Sequence, residues 1–310
     1  YGLMPASISH EGYSAKPMHS YWDDFFVLTG LNDAVYVADA LGRTADRARF
    51  TAIRDEFRGH LLASLDATMR MHGIDHLPGS VELGDFDATS TTVGVNPMDG
   101  LDLLPRQALE NTFERYYRQS IRARLDGAEW DGYTPYEWRT VGTFVRLGWK
   151  ARAHEAIGLF FAHRRPAAWN QWAEVVFRDE KSPRFIGDMP HTWVGSDFIR
   201  SILDLFAYET GDALVIGAGV PELWVREGEG LEMKGLRTRY GTLDLRMRAA
   251  GSTVRVTVGG DLRVPGGMLI RTPLDRPIRR ATVNGRAISV AVDAREVVVR
   301  AVPAEVVLEH

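Results

Sequence analysis

The chain has 310 residues, 45% hydrophobic and 25% charged, with 37 basic against 41 acidic side chains and a net charge of −4. That composition fits a folded protein of one large or two ordinary domains, and its evenly mixed charge offers no basic field for nucleic acid or an anionic membrane. The absence of cysteine excludes disulfides, thiolate metal sites and a cysteine nucleophile, and leaves the compartment open between cytoplasm, periplasm and secretion.

From Ser20 to about Glu209 apolar residues recur at helical spacing in six blocks: "SYWDDFFVLTGLNDAVYVADAL", "TADRARFTAIRDEFRGHLLASLDATMRMH", "PRQALENTFERYYRQSIRARL", "TPYEWRTVGTFVRLG", "KARAHEAIGLFFAHRR" and "HTWVGSDFIRSILDLFAYE". Ser20, Thr44, Thr134 and Thr192 stand where helix caps belong, and Gly42, Gly73 and Gly148 follow the expected ends. The first block is aromatic and sparsely charged, the second charged on one face, a difference that predicts an inner and an outer helical layer. Between blocks lie long polar and aromatic loops, "HLPGSVELGDFDATSTT" and "RPAAWNQWAEVVFRDEKSPRFIGDMPH", of a length that usually carries function.

Past Gly211 the period changes to two. "TLDLRMRAAGSTVRVTVGGDLRV" alternates apolar and polar, so Val254, Val256 and Val258 are expected on one face of a strand. "ATVNGRAISVAV" puts Asn284 and Gly285 at a hairpin turn. The fold class expected is mainly α with a β domain: a helical domain over 1–212, then a small antiparallel β-sandwich over 213–308. The chain opens without a methionine and its final "LEH" resembles the start of a vector-encoded tag, which together suggest a piece of a longer protein.

Four stretches carry candidate chemistry. In "MHSYWDDFFVLTGL" two acids, Asp23 and Asp24, follow Trp22 at a helix start. Ser20 and Asp23 have capping-box spacing, but a cap needs one acid and no aromatics. "AAWNQWAEVVF" combines Trp169, Asn170, Gln171, Trp172 and Glu174. Indoles pack on flat sugar faces and amides fix hydroxyls, so this mixture suits a carbohydrate pocket; two core tryptophans with a solvated glutamate is the plain alternative. "GDMPHTWVGSDF" brings Asp188, His191, Trp193 and Asp197 into the last helix, where a buried acid beside Trp193 would have a raised pKa. "DGYTPYEWRTVG" and "ELGDFDATSTT" add Tyr136, Glu137, Arg139, Glu82, Asp85 and Asp87 as lining residues, with Asp87 also placed as an N-cap. His72 and His76 in "HGIDH" are four apart, yet Gly73 ends the helix and no third ligand is apparent, so no metal is expected there.

Taken together, "SISHEGYSAKPMHSYWDDF", "GDFDATSTT", "WNQWAEVV" and "IGDMPHTWVGSDFIRS" resemble a bacterial group of six-hairpin glycosidase-like proteins, often joined to discoidin-type sugar-binding modules. More remotely the chain is similar to glucoamylases, in which a Trp followed by an acid supplies the general acid and an acid ahead of a Thr-Trp helix supplies the base. The resemblance implies an (α/α)6 toroid beside a β-sandwich. The helical part is long enough only for the later hairpins, which would make the missing N-terminal part of a parent protein a natural partner.

Carried over, Asp23 is the acid and Glu174 the base, with Asp24 and Asp197 as substitutes. Aspartate stands where glucoamylases have glutamate. The sugar-binding set is His19, Trp22, Tyr136, Trp169, Asn170, Gln171, Trp172, His191 and Trp193. The expected function is hydrolysis of an oligo- or polysaccharide with inversion, needing no cofactor or metal: Asp23, its pKa raised by aromatics, protonates the leaving oxygen while Glu174 activates water at a carboxyl separation of roughly 6.5 to 9.5 Å. Two rivals remain. One is a polysaccharide lyase using Tyr136, His191, Asn170 and Arg139. The other is a glycan-binding module without turnover.

Overall fold

The computed structural model describes residues 2–8, 15–182 and 186–310; the "SHEGYS" part of the first resemblance motif and residues 183–185 lie outside them. Contacts divide the chain into two units, Tyr1–Thr143 with Gly158–Val194, and Phe144–Ile157 with Gly195–His310. A helical N-terminal part is followed by β-sheets that are antiparallel except for one strand pair. Among the described residues no helix is long and apolar enough to cross a membrane.

In the first unit α1 (Tyr21–Ala40) buries Tyr21, Phe25 and Leu28, and α2 (Thr44–His72) buries Leu61, Leu65 and Thr68. Both sets have the spacing of one helical stripe, and the two helices pack together. Gly73 ends α2 in the left-handed conformation at φ 62°, with the Ile74 N–H closing 3.0 Å onto Met69 O, a geometry glycine adopts without a Cβ penalty. The second half of α1 leaves Tyr36 and Val37 exposed, so it is not the fully covered inner helix its composition suggested. Thr44 and Thr192 are the first helical residues rather than caps, and Ser20 occupies the cap position without a side-chain cap bond.

α3 (Ala88–Val95) follows, and Asp87 is its N-cap, as its place in the sequence suggests, accepting from the Ser90 N–H at 2.9 Å. α4 (Arg106–Tyr116) runs on through a π-helical turn, Tyr117–Arg122, into α5 (Ala123–Leu125). With that wide turn between them, Tyr116 and Arg124 both reach buried Glu137. A two-residue strand β1 (Gly132–Tyr133) pairs with β2 (Val176–Phe177). Between them a 3₁₀ turn (Pro135–Trp138) leads into α6 (Arg139–Arg146), followed by α7 (Lys150–Ala162).

α8 (Thr192–Phe206) stops short of the expected end. Residues Ala207–Thr210 are strand β3, turned at Gly211 into β4 (Ala213–Ile216). The short helix α9 (Glu222–Arg226) precedes the remaining strands: β5 (Leu231–Thr238), β6 (Gly241–Ala250), β7 (Thr253–Gly260), β8 (Gly267–Arg271), β9 (Arg280–Val283), β10 (Arg286–Ile288), β11 (Glu296–Val299) and β12 (Ala304–Glu309). One sheet has the order β10-β9-β12-β7-β6-β5 and the other β11-β8-β4-β3, with β4 and β8 parallel. Inward residues of both meet in one core that includes Val254, Val256, Val258, Leu214 and Ile270, which makes the pair a sandwich. Asn284 and Gly285 both have positive φ between β9 and β10, as a type I′ hairpin requires. The terminal "LEH" is part of the fold: Leu308 is fully buried in β12, and Glu309 pairs with Thr253.

Candidate active site

Asp23 and Asp24 begin α1, and the segment 2–8 is tied to both. Ser7 Oγ donates to Asp23 at 2.7 Å and the Met4 N–H donates to Asp24 Oδ1 at 3.0 Å. The Ser20–Asp23 capping box is therefore not what holds Asp23. About 100° of helical rotation per residue turns Asp24 away from Trp22 and into the interior with Tyr21 and Phe25. Asp24 is 1% exposed, and its Oδ2 is buried with no hydrogen-bond partner among the described residues. Burial pushes its carboxyl up to about 6, helped by the charge of Asp23 and opposed by the Met4 hydrogen bond. The buried acid of this pair is the one sequence reasoning held as substitute.

A line of rings leads away from Trp22 on the other face. Its centroid is 6.3 Å from that of Trp193, and Trp193 lies 5.6 Å from Tyr136 in edge contact. The Arg139 guanidinium sits 4.6 Å above Tyr136 and 5.4 Å above Trp193, a cation on the negative faces of both rings. Tyr136 Oη is 2.5 Å from His191 Nε2. Near His191, one carboxylate oxygen each of Glu174 and Asp188 and one ring nitrogen of the histidine all lie within 4.8 Å of one another. The fold thus brings Trp22, Trp193, Tyr136, Arg139, His191 and Glu174 along one connected path within the first unit.

Backbone bonds set this geometry. The Glu174 N–H donates to Asp188 O at 3.0 Å and the His191 N–H to Trp172 O at 2.9 Å, so the two loop segments run zipped together. Thr134 Oγ1 donates to Glu174 O at 2.8 Å. Neither Thr134 nor Asp188 was in the site expected from sequence. A threonine forty residues from its partner leaves no periodic signal, whereas Asp188 stands in the candidate stretch with His191 and Trp193 without an assigned role there.

Other expected residues lie elsewhere. Trp172 is buried edge-on against Trp138, 5.0 Å away, and Phe161, a core position with no face left for a sugar. Trp169 is exposed, and Asn170, in the left-handed region, accepts from Arg164 at 2.9 Å. Gln171 is also exposed. Asp197 belongs to the second unit, where it is buried and takes the Arg200 guanidinium at 3.0 Å. His19 pairs with Glu82 at 2.6 Å. Burial of Glu82 is outweighed by bonds from His19, which hold its carboxyl below the usual range. Asp85 accepts from Ser80 Oγ at 2.7 Å. His72 Nε2 meets Val81 O at 3.0 Å, while His76 is buried edge-on to Phe86.

Chemically, the cluster offers two carboxylates and an imidazole around one point, a donor set that suits a water to be deprotonated or a divalent cation. Trp193 offers aromatic surface one ring away, through Tyr136, and Trp22 lies one ring further along.

No protein-family model and no curated protein matches this chain. Among solved structures, it is similar to an α-L-rhamnosidase from Dictyoglumus thermophilum, with TM-score 0.50 and 9% identity, over 92% of this chain and 32% of that one. A GH127 β-L-arabinofuranosidase from Geobacillus Stearothermophilus T6 aligns with TM-score 0.26 and 13% identity, over 92% of this chain and 61% of that one. The first likeness is one of fold, a partial match to the glycosidase toroid, and the chain spans about a third of the rhamnosidase.

Proposed function

We propose that this chain carries the site of a glycoside hydrolase of the six-hairpin type and cleaves a glycosidic bond by an inverting two-carboxylate mechanism. The observation that carries this reading is the ring path from Trp22 through Trp193 and Tyr136 to His191, with Glu174 at its end and Asp23 one residue past its start. Sugar faces would stack on Trp22 and Trp193. Asp23 would protonate the leaving oxygen, and Glu174 would take a proton from the attacking water. Tyr136 and His191 would hold sugar hydroxyls.

The rhamnosidase likeness supports a carbohydrate substrate and suggests the first probe. Turnover of 4-nitrophenyl α-L-rhamnoside and a wider glycoside panel is to be measured for the chain with its natural flanking sequence, alongside Asp23→Asn and Glu174→Gln. Release of nitrophenol that both variants abolish supports the reading. Turnover that survives both ends it.

A second reading has its own support, since Tyr136 touches both His191 and Arg139, residues that a polysaccharide lyase acting on uronates would use. Asn170, its expected fourth member, is instead exposed and bound by Arg164. Lyase products absorb in the near ultraviolet and hydrolase products do not.

A further inference from the structure

Glu174 lies in an irregular stretch, between Trp172 and the two-residue strand β2. A carboxylate that must meet a water at one angle needs its backbone fixed, and regular ladder bonds begin only at Val176. Two bonds do the fixing. The Glu174 N–H is held by Asp188 O, and its carbonyl oxygen is held by the side chain of Thr134.

We infer that Thr134 is a positioning residue for Glu174, its hydroxyl joining the glutamate's backbone to the turn that bears Tyr136. This rests on the reading of Glu174 as the base. The hydroxyl is used on both sides: its oxygen accepts the Tyr136 N–H at 3.3 Å, and its hydrogen goes to Glu174 O at 2.8 Å. Thr134 is thus the N-cap of the 3₁₀ turn and also the clamp on the opposing loop. Tyr133 pairs with Val176 immediately beside it, so the clamp continues the small β1–β2 ladder by one side-chain rung. The same turn delivers Tyr136 to His191. Loss of the hydroxyl would free the two sides of the site to move independently, and small misplacements of a reacting group are costly in rate.

Valine keeps the shape and stiffness of threonine at χ1 and removes both bonds; serine keeps the bonds. On 4-nitrophenyl α-L-rhamnoside, or the panel glycoside turned over fastest, Thr134→Val is expected to lower kcat about tenfold to a hundredfold with KM within about twofold. The acidic limb of the pH profile, which a general base sets, should move, and Thr134→Ser should restore most of the rate. Melting temperatures are read alongside, and Thr134→Ala replaces the valine variant if that one does not fold. A dead Glu174→Gln beside a wild-type Thr134→Val, or a serine variant no better than valine, overturns this inference and spares the reading of Glu174. An active Glu174→Gln overturns both.

Discussion

Tyr136 Oη and His191 Nε2 stand 2.5 Å apart, with the Arg139 guanidinium 4.6 Å above the phenol ring. This contact joins the 3₁₀ turn to the loop that precedes α8, and it separates two chemistries. If Tyr136 only orients His191 toward a sugar hydroxyl, Tyr136→Phe lowers kcat/KM about tenfold, the worth of one hydrogen bond. A lyase that draws its proton with Tyr136 would lose nearly all activity in the same variant. Steady-state kinetics with an ultraviolet scan of the product distinguishes them, and the hydrolase reading predicts the mild loss with no new absorbance.

Asp24 makes stability depend on pH with a defined sign. Its carboxyl is raised from 3.8 to about 6 by burial, so between those values the folded chain keeps a proton that the unfolded chain has released. Stability therefore falls as pH rises through this window and stays lower above about pH 6, by roughly 3 kcal/mol. Asp24→Asn removes the titration. It should melt higher than wild type at pH 8 and close to it at pH 4; parallel melting curves for the two proteins across that range would refute the account of this residue.

Glu137 has a structural task. It is buried, accepts Tyr116 Oη at 2.5 Å and takes Arg124 through two bonds of 2.9 Å. Removing one partner of a buried ion pair strands the other, so Glu137→Ala should cost about 3–5 kcal/mol in urea unfolding. An Arg124→Met, Glu137→Leu double variant should recover much of that loss, because no uncompensated charge remains. Equal losses in the two variants would contradict this.

Leu308 tests whether the C-terminal residues belong to the sandwich. It is fully buried in β12 between β7 and β9, and Leu308→Ala should destabilise the protein by about 2–5 kcal/mol. An appended, unpacked residue would show no change.

Much of the architecture could be read from residue order because it depends on local period. Val254, Val256 and Val258 alternate and are all buried, Asn284-Gly285 forms its hairpin, and Gly73 ends a 29-residue helix. The errors arose where two periods overlap. Ala207 and Tyr208 continue the apolar spacing of α8 yet begin a strand, because the turn at Gly211 pairs them with β4. For α3 only the cap, Asp87, is legible; its body is masked by threonines, poor helix formers in isolation, whose hydroxyls here return to backbone carbonyls, Thr91 to Asp87 O and Thr92 to Thr89 O. Whether Trp172 faces a ligand or the core depends on Trp138, thirty-four positions earlier, and no local pattern reports that. For Asp23 and Asp24 the helical stripe of Tyr21, Phe25 and Leu28 already turns Asp24 inward; what it does not report is segment 2–8, which bonds to both acids.

The central claim is that Asp23 and Glu174 act together on one glycosidic bond. Its most direct test is the anomeric configuration of the first-formed product, followed by NMR during turnover of the best panel glycoside, with Asp23→Asn and Glu174→Gln as controls. The account predicts an inverted anomer from the wild-type protein and loss of turnover in each variant. A retained anomer, or undiminished turnover by either variant, would contradict it.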